Sequence, residues 1–125
     1  MRDVITSKSA PQAIGPYSQA IRANGFIFTS GQIPIDPGSQ QLISGDAAAQ
    51  TERVLQNLSA ILAAAGSNLE KVVRTTVFLK NMSDFTAMNE VYGRYFTSNP
   101  PARSTVEVAR LPKDVLVEID VVALA

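Results

Sequence analysis

The strongest constraint on the fold is a segment in the middle of the chain, Asp46 to Ala65, whose apolar residues recur at helical spacing. The apolar side chains on its predicted buried side are Val54, Leu55, Leu58, Ile61, Leu62 and Ala65. Asp46 is a favourable N-cap residue, and Gly66 suits the position just beyond the helix. The pattern therefore predicts one amphipathic helix that buries a single stripe.

Strand-like segments precede this helix. Ser18–Ala23 and Phe26–Ser30 flank the dipeptide Asn24-Gly25, which is a strong signal for a two-residue hairpin turn. A loop rich in proline and glycine, residues 34–38, separates the hairpin from the helix.

The second half of the chain alternates strand and helix patterns. Lys71–Lys80 reads as a strand, Ser83–Thr97 as a second helix, and Arg103–Ala109 and Leu116–Ala123 as two further strands. The strand is expected to present Val73, Thr75, Val77 and Leu79 on one face. The helix is expected to present Phe85, Met88, Tyr92 and Phe96 on one side.

This order of elements predicts a single α+β domain, residues 1–125, with one sheet and both helices on one face. If the last two strands form a hairpin, Arg103, Thr105 and Glu118 share the sheet face that points away from the helices. The alternating residues of the first of these strands would then form its apolar face, namely Ser104, Val106 and Val108. Two helices cannot cover both faces, so the outer face is either solvated or covered by other subunits, and composition does not decide between them.

Composition removes several classes of chemistry. The chain contains no histidine and no cysteine, which excludes histidine-dependent triads, thiol nucleophiles, the commonest zinc ligands and disulfides. Eleven basic and eleven acidic residues balance, and no basic run stands out, so nucleic acid is not an expected partner. The longest apolar run, Ala60–Ala65, is too short to span a bilayer, and the first residues do not resemble a signal peptide. A cytoplasmic protein without membrane contact is expected.

Arg103 is the residue that most suggests a binding site. It follows Pro100 and Pro101, which stiffen the backbone before a strand-like run. A planar guanidinium is well suited to grip a carboxylate or a phosphate with two donors. The alternative is an exposed arginine at the start of a strand, and the rigid backbone beside Arg103 favours the anion site.

Four segments together resemble the RidA (YjgF) family of reactive-intermediate deaminases. They are Ala10–Ala20, which contains Gly15-Pro16-Tyr17-Ser18-Gln19, then Ser30–Pro34, Asn89–Tyr92, and the stretch from Pro101 to Ile119. The segments follow the family's order and spacing and cover essentially the whole chain. The resemblance implies a chorismate-mutase-like fold and a homotrimer in which the sheets line a central barrel and the active sites lie between subunits.

The resemblance also implies an activity. The archetypal members of the family hydrolyse 2-iminobutanoate and 2-iminopropanoate, which arise from enamines such as 2-aminoacrylate, to 2-oxo acids and ammonia. The implied ligands are therefore small 2-imino and 2-oxo acids. Neither a metal nor a cofactor is implied.

Family roles carry over to named positions. Arg103 resembles the residue that pairs with the substrate carboxylate, Gly31 the residue whose carbonyl accepts from the imine nitrogen, and Glu118 the acid that holds the attacking water. The implied pocket residues are Tyr17, Ser30, Asn89 and Thr105. Thr105 occupies a position where many relatives carry cysteine, but threonine retains a hydroxyl that can form hydrogen bonds.

Each role has a structural alternative. Asn89 could satisfy a backbone group, Tyr17 could serve only in packing, and Ser30-Gly31 could be only a turn. Glu118 could pair with a nearby cation, Arg110 or Lys113.

Two other functions use the same features. A trimer could capture small carboxylates as a regulator without turnover. An RNA-cleaving inhibitor of translation is the other alternative, although neutral charge and the absence of histidine weigh against it.

Overall fold

The sheet is the centre of the structure. The computed structural model describes all residues, 1–125. In chain order the strands and helices are β1 (Arg2–Ile5), β2 (Ala20–Ala23), β3 (Phe26–Thr29), β4 (Ile35–Asp36), β5 (Gln41–Leu42), α1 (Ala47–Ala64), β6 (Val72–Leu79), α2 (Phe85–Tyr95), β7 (Ala102–Glu107) and β8 (Val117–Leu124). Six strands form one mixed sheet in the order β1-β2-β3-β8-β6-β7, while β4 and β5 pair separately. The predicted α+β class is confirmed.

Helix α1 forms where its pattern predicts. The Asp46 side chain accepts a hydrogen bond from the Ala49 backbone N–H at 3.0 Å and caps the first turn. Gly66 adopts a φ of +78° just past the helix, where a residue with a Cβ would be strained. Leu58 and Ile61 are completely buried, and α1 packs against both α2 and β8.

The hairpin between β2 and β3 is also confirmed. Asn24 and Gly25 have φ values of 54° and 79°, as a type I′ turn requires. The buried side chains of the sheet, including Ile27, Val77 and Ile119, join those of α1 and α2 in one apolar core. Both helices therefore cover the same face of the sheet.

The prediction that Val73 shares the buried face of β6 is wrong. A β-bulge shifts the register between Val72 and Arg74, so Val72 is buried and Val73 is 40% exposed. Thr75 and Val77 lie on the buried face as predicted.

The predicted hairpin between the last two strands is wrong as well. β8 pairs antiparallel with β6 on one side, and β7 pairs parallel with β6 on the other. Because α2 lies between β6 and β7, these three elements form a crossover unit, which joins parallel strands. β8 lies in the interior of the sheet between β3 and β6, and the residues of its helix side are all buried, namely Val117, Ile119, Val121 and Ala123.

This topology separates residues that were predicted to share a face. Arg103 aligns with the buried Thr75, so Arg103 and Thr105 lie on the helix side of the sheet. Glu118 aligns with Phe78 on the opposite side. The alternating residues of β7, Ser104 and Val106, lie on that opposite side instead of in the core.

No helix covers the face that carries Glu118. We call it the open face, and its exposed apolar side chains include Val4, Phe26, Phe28, Val106 and Leu124. Apolar area of this kind on an uncovered sheet marks an interaction surface. Neither α1 nor α2 combines the length and the apolar character that crossing a membrane requires.

Candidate active site

The residues singled out from the sequence fall into two groups. Tyr17, Ser30, Gly31 and Glu118 line one cavity of about 380 Å³, which we call the glutamate cavity. Asn89 and Arg103 line a different cavity of about 470 Å³, which we call the arginine cavity. Within one chain, the structure does not bring the predicted carboxylate anchor and the predicted acid into one site.

Arg103 is held firmly at the start of β7. Its Nη1 donates a hydrogen bond to Asn89 Oδ1 at 2.7 Å, and its Cζ lies 4.7 Å from the Tyr92 ring centroid and 5.6 Å from that of Phe85. The Tyr92 hydroxyl is itself hydrogen-bonded to Thr75 at 2.7 Å. Because Arg103 forms no ion pair in the chain, its remaining N–H groups are available to a ligand.

Asn89 therefore has a defined partner. Its side-chain oxygen orients the Arg103 guanidinium and does not satisfy a backbone group. Tyr92, on the same side of α2 one turn further on, was assigned to packing by the sequence pattern, yet its ring supports the arginine. An aromatic residue three positions after Asn89 is the signal that could have indicated this support.

Gly31 lies directly against the Glu118 carboxyl group. A Cβ added at Gly31 would come within 2.9 Å of Glu118 Cδ and would overlap Oε2. The segment is fixed to β8 by two backbone hydrogen bonds, Gln32 N–H to Ile119 O at 2.8 Å and Ile119 N–H to Gln32 O at 3.2 Å. Glycine is thus required at this position because the backbone and the carboxylate approach so closely.

The Glu118 carboxyl group is half-buried and unpaired. Burial raises its pKa above the ordinary value of 4.5, and the nearby Asp120 carboxylate raises it further. No ion pair joins it to Arg110 or Lys113, so the structural alternative for this residue is not supported. A carboxyl group with a raised pKa can accept a proton and return it more readily than an ordinary one.

Tyr17 and Ser30 contribute to the wall of the glutamate cavity. The Tyr17 hydroxyl accepts from the Ile14 backbone N–H at 3.2 Å. The Ser30 hydroxyl donates to the Ser18 carbonyl at 2.6 Å, and its backbone N–H donates to the Gln19 carbonyl at 2.9 Å. Both residues thus fix loop structure beside Gly31.

Thr105 lines neither cavity. Its Oγ1 is buried and has no hydrogen-bond partner within the chain. It lies on the helix side of β7, two residues beyond Arg103. An unpaired buried hydroxyl is costly, and no group of the chain offsets that cost here.

Sequence reasoning missed residues that shape the glutamate cavity. The Gln19 side chain forms three hydrogen bonds to the backbone of Ser7 and Pro11 and so anchors the N-terminal loop. Asn57 is fully buried in α1 and donates to the carbonyls of Ile33 and Ile35 at 3.4 and 2.9 Å. A polar amide between the buried Leu55 and Leu58 is the signal that could have revealed Asn57.

The remaining lining residues of this cavity come from three connecting segments and the start of β4, and they were not predicted as site residues. They are Pro11, Gln12, Ile14, Gln32, Ile33, Ile35, Pro112 and Lys113. No cluster of three or more acidic side chains that could hold a metal ion is present. The charged side chains that line the cavity are one carboxyl group and one ammonium group, and its polar lining is completed by the hydroxyl groups of Tyr17 and Ser30 and by glutamine amides.

Comparison with known proteins identifies the family. The family model described as Endoribonuclease L-PSP matches residues 7–125. The chain is 55% identical over 123 residues to RutC family protein PH0854 of Pyrococcus horikoshii, covering 98% of each chain. It is 48% identical over 124 residues to the human 2-iminobutanoate/2-iminopropanoate deaminase, covering 99% of this chain and 90% of the human one.

A solved structure agrees with these sequence matches. The Rid-family protein YyfA of Yersinia pestis superposes with a TM-score of 0.97 at 48% identity, with all of both chains covered. The family model, the sequence relatives and the solved structure agree with one another, and the chain belongs to the Rid (RidA/YjgF) family.

Proposed function

We propose that the protein hydrolyses small 2-imino acids, such as 2-iminobutanoate and 2-iminopropanoate, to 2-oxo acids and ammonia. The observation that carries this proposal is the pair of unpaired, oppositely charged groups, Arg103 and Glu118, each placed at a cavity and each held by its surroundings. The 48% identity to a human protein named for this reaction supports the assignment.

The proposed site is completed between two copies of the chain. One copy contributes the glutamate cavity, and its neighbour contributes the arginine cavity. The open face supports this arrangement, because Phe28 and Leu124 remain exposed on a single chain and a homotrimer would cover them. The proposed trimer thus explains why the anchor and the acid are separate in one chain.

The chemistry follows from these groups. Two parallel N–H donors of Arg103 bind the substrate carboxylate, and the Gly31 carbonyl accepts a hydrogen bond from the protonated imine nitrogen. Glu118 takes a proton from a water molecule as the water oxygen forms a bond to C2. Glu118 then returns that proton to nitrogen, which becomes the leaving group. As the C2–N bond breaks, Glu118 takes the proton of the new C2 hydroxyl group, the carbonyl forms, and this second proton passes to the departing ammonia, which leaves as ammonium.

Little nucleophilic power is needed because a protonated imine is already electrophilic. The contribution of the protein is therefore mainly to fix the carboxylate and one water in a reactive geometry. Positioning of this kind contributes up to roughly 7–11 kcal/mol in well-oriented intramolecular reactions.

A trapping assay tests the proposal. An amino-acid oxidase generates 2-iminobutanoate from 2-aminobutanoate in the presence of semicarbazide, and the fraction of imine that is trapped is measured. We expect the parent protein to lower this fraction, and the Glu118→Gln variant to lower it much less. Binding of 2-oxobutanoate without any effect on trapping would contradict hydrolysis and would favour a carboxylate-binding regulator.

A further inference from the structure

Lys113 is the only positively charged residue that lines the glutamate cavity. It is exposed and forms no ion pair with any carboxylate of the chain. The neighbouring Asp114 is instead engaged by Lys80, at 2.9 Å. Lys113 therefore presents a charge that no ion pair engages, at the cavity that also contains Glu118.

The backbone that carries Lys113 is strained. Lys113 and Asp114 have φ values of 54° and 59°, which are unfavourable for two consecutive residues that are not glycine. Hydrogen bonds from Asp114 N–H to Leu111 O at 3.1 Å and from Val115 N–H to Pro112 O at 3.3 Å hold this turn. The strained turn places a free lysine at the cavity in a fixed backbone conformation.

In the proposed reaction this lysine has no role. Arg103 of the neighbouring copy takes the carboxylate next to C2, while Gly31 and Glu118 serve the imine and the water. The cavity of about 380 Å³ lies within the roughly 300–1,000 Å³ of small-molecule sites, so it can hold a side chain as well as the reacting centre. Because the Lys113 ammonium group has no role in the reaction, it is available to bind a second negative charge on the substrate.

We propose that Lys113 binds the side-chain carboxylate of a dicarboxylic 2-imino acid, such as the imine of glutamate or of aspartate. This inference rests on the proposed function and extends its substrate class. A substrate with a neutral side chain gains nothing from Lys113, whereas a dicarboxylic substrate gains an ion pair.

Binding of the product oxo acids tests this inference separately from turnover. The dissociation constants of 2-oxoglutarate and 2-oxobutanoate are measured by calorimetry for the parent, Lys113→Met and Lys113→Arg. Methionine is unbranched like lysine, matches the length of its aliphatic part and meets the same backbone strain, so the fold is expected to persist. Arg110→Met is the matched control. Lys113 lines both the glutamate cavity and a second, neighbouring cavity, whereas Arg110 lines only the second one.

We expect Lys113→Met to weaken the binding of 2-oxoglutarate about fivefold, which is the upper range for an exposed ion pair. The binding of 2-oxobutanoate should be unchanged. Lys113→Arg should still bind 2-oxoglutarate more tightly than Lys113→Met does, and Arg110→Met should change the dissociation constant of neither acid. Added salt should reduce the effect of Lys113→Met on 2-oxoglutarate binding. The same selectivity should appear in hydrolysis of the two corresponding imines.

Two outcomes would overturn the inference. Equal weakening of both acids by Lys113→Met would mean that Lys113 binds the carboxylate that they share. Unchanged binding of both acids would mean that Lys113 does not contact the ligand. If the parent hydrolyses no imine, the proposed function fails, but the ratio of the two dissociation constants still decides the role of Lys113.

Discussion

At the scale of single residues, the two proposed reacting groups are prepared in different ways. Arg103 is fixed by contacts on α2, a hydrogen bond to Asn89 and the ring of Tyr92. Glu118 is instead prepared by burial and by the absence of a Cβ at Gly31, which leaves its carboxyl group close to the backbone. The surroundings of Arg103 therefore fix its orientation, whereas those of Glu118 set its proton affinity.

For Arg103 we predict that replacement by lysine fails almost as badly as replacement by alanine. An ammonium group supplies the charge but neither the two parallel donors nor the flat surface that stacks on Tyr92. The measurement is calorimetric binding of 2-oxobutanoate, with thermal unfolding as a check on the fold. Near-parental affinity in Arg103→Lys would show that charge alone is sufficient.

For Glu118 we predict opposite effects of the Glu118→Gln substitution on rate and on stability. Loss of the proton acceptor should slow imine hydrolysis by about 10²–10⁴-fold. Because the folded-state pKa is raised, ionised Glu118 opposes folding at neutral pH, so glutamine should raise the thermal midpoint there.

The pH dependence supplies the control for that prediction. As the pH falls below the ordinary value of 4.5, Glu118 is protonated in both the folded and unfolded states, and the stability difference from glutamine should vanish. A stability gain that is equal at pH 7 and pH 4 would mean that ionisation is not its cause.

At the scale of elements, the sequence predicted individual helices and turns better than it predicted which strands pair. Helix α1 and the Asn24-Gly25 turn follow from capping residues and spacing that lie next to each other in the chain. The hairpin proposed for β7 and β8 was wrong because strand pairing is set by distant contacts. A wrong pairing also moved Arg103 and Thr105 to the wrong face of the sheet.

Short or irregular elements escaped prediction for similar reasons. β1 has only four residues, and three of them are exposed, so it carries almost no pattern. The bulge near Val73 changes which residues face the core without any marker in the local sequence. The site residues named by family resemblance do line cavities, except Thr105, whereas Lys113 and Asn57 required the structure.

We predict that Asn57→Ala destabilises the protein and loosens the glutamate cavity. The change removes the amide donor from the carbonyls of Ile33 and Ile35. The Ile33 carbonyl still accepts from the Ile35 N–H at 2.7 Å, but the Ile35 carbonyl loses its hydrogen bond to Asn57, at a cost of about 1–3 kcal/mol. Urea unfolding measures the free energy, and the KM for 2-iminobutanoate reports the cavity. An unchanged midpoint and slope would mean that the amide does not hold this loop.

At the scale of the whole molecule, the open face determines how copies assemble. Phe28 lies on the open face beside Val122 of β8, and its side chain is 45% exposed. We predict a homotrimer for the parent by light scattering at micromolar concentration. We expect Phe28→Asp to dissociate it, because a buried, unpaired carboxylate at the interface is costly. A monomeric mass for the parent would contradict this prediction.

The central claim is that one active site takes Glu118 from one copy and Arg103 from its neighbour, and subunit mixing tests it most directly. Arg103→Ala and Glu118→Gln, each expected to be inactive, are unfolded together in equal amounts, refolded and assayed for hydrolysis of 2-iminobutanoate. Random assembly should restore about a quarter of the parental activity, because each site then needs an intact half from two different variants. No activity above that of the separate variants would contradict a site shared between copies.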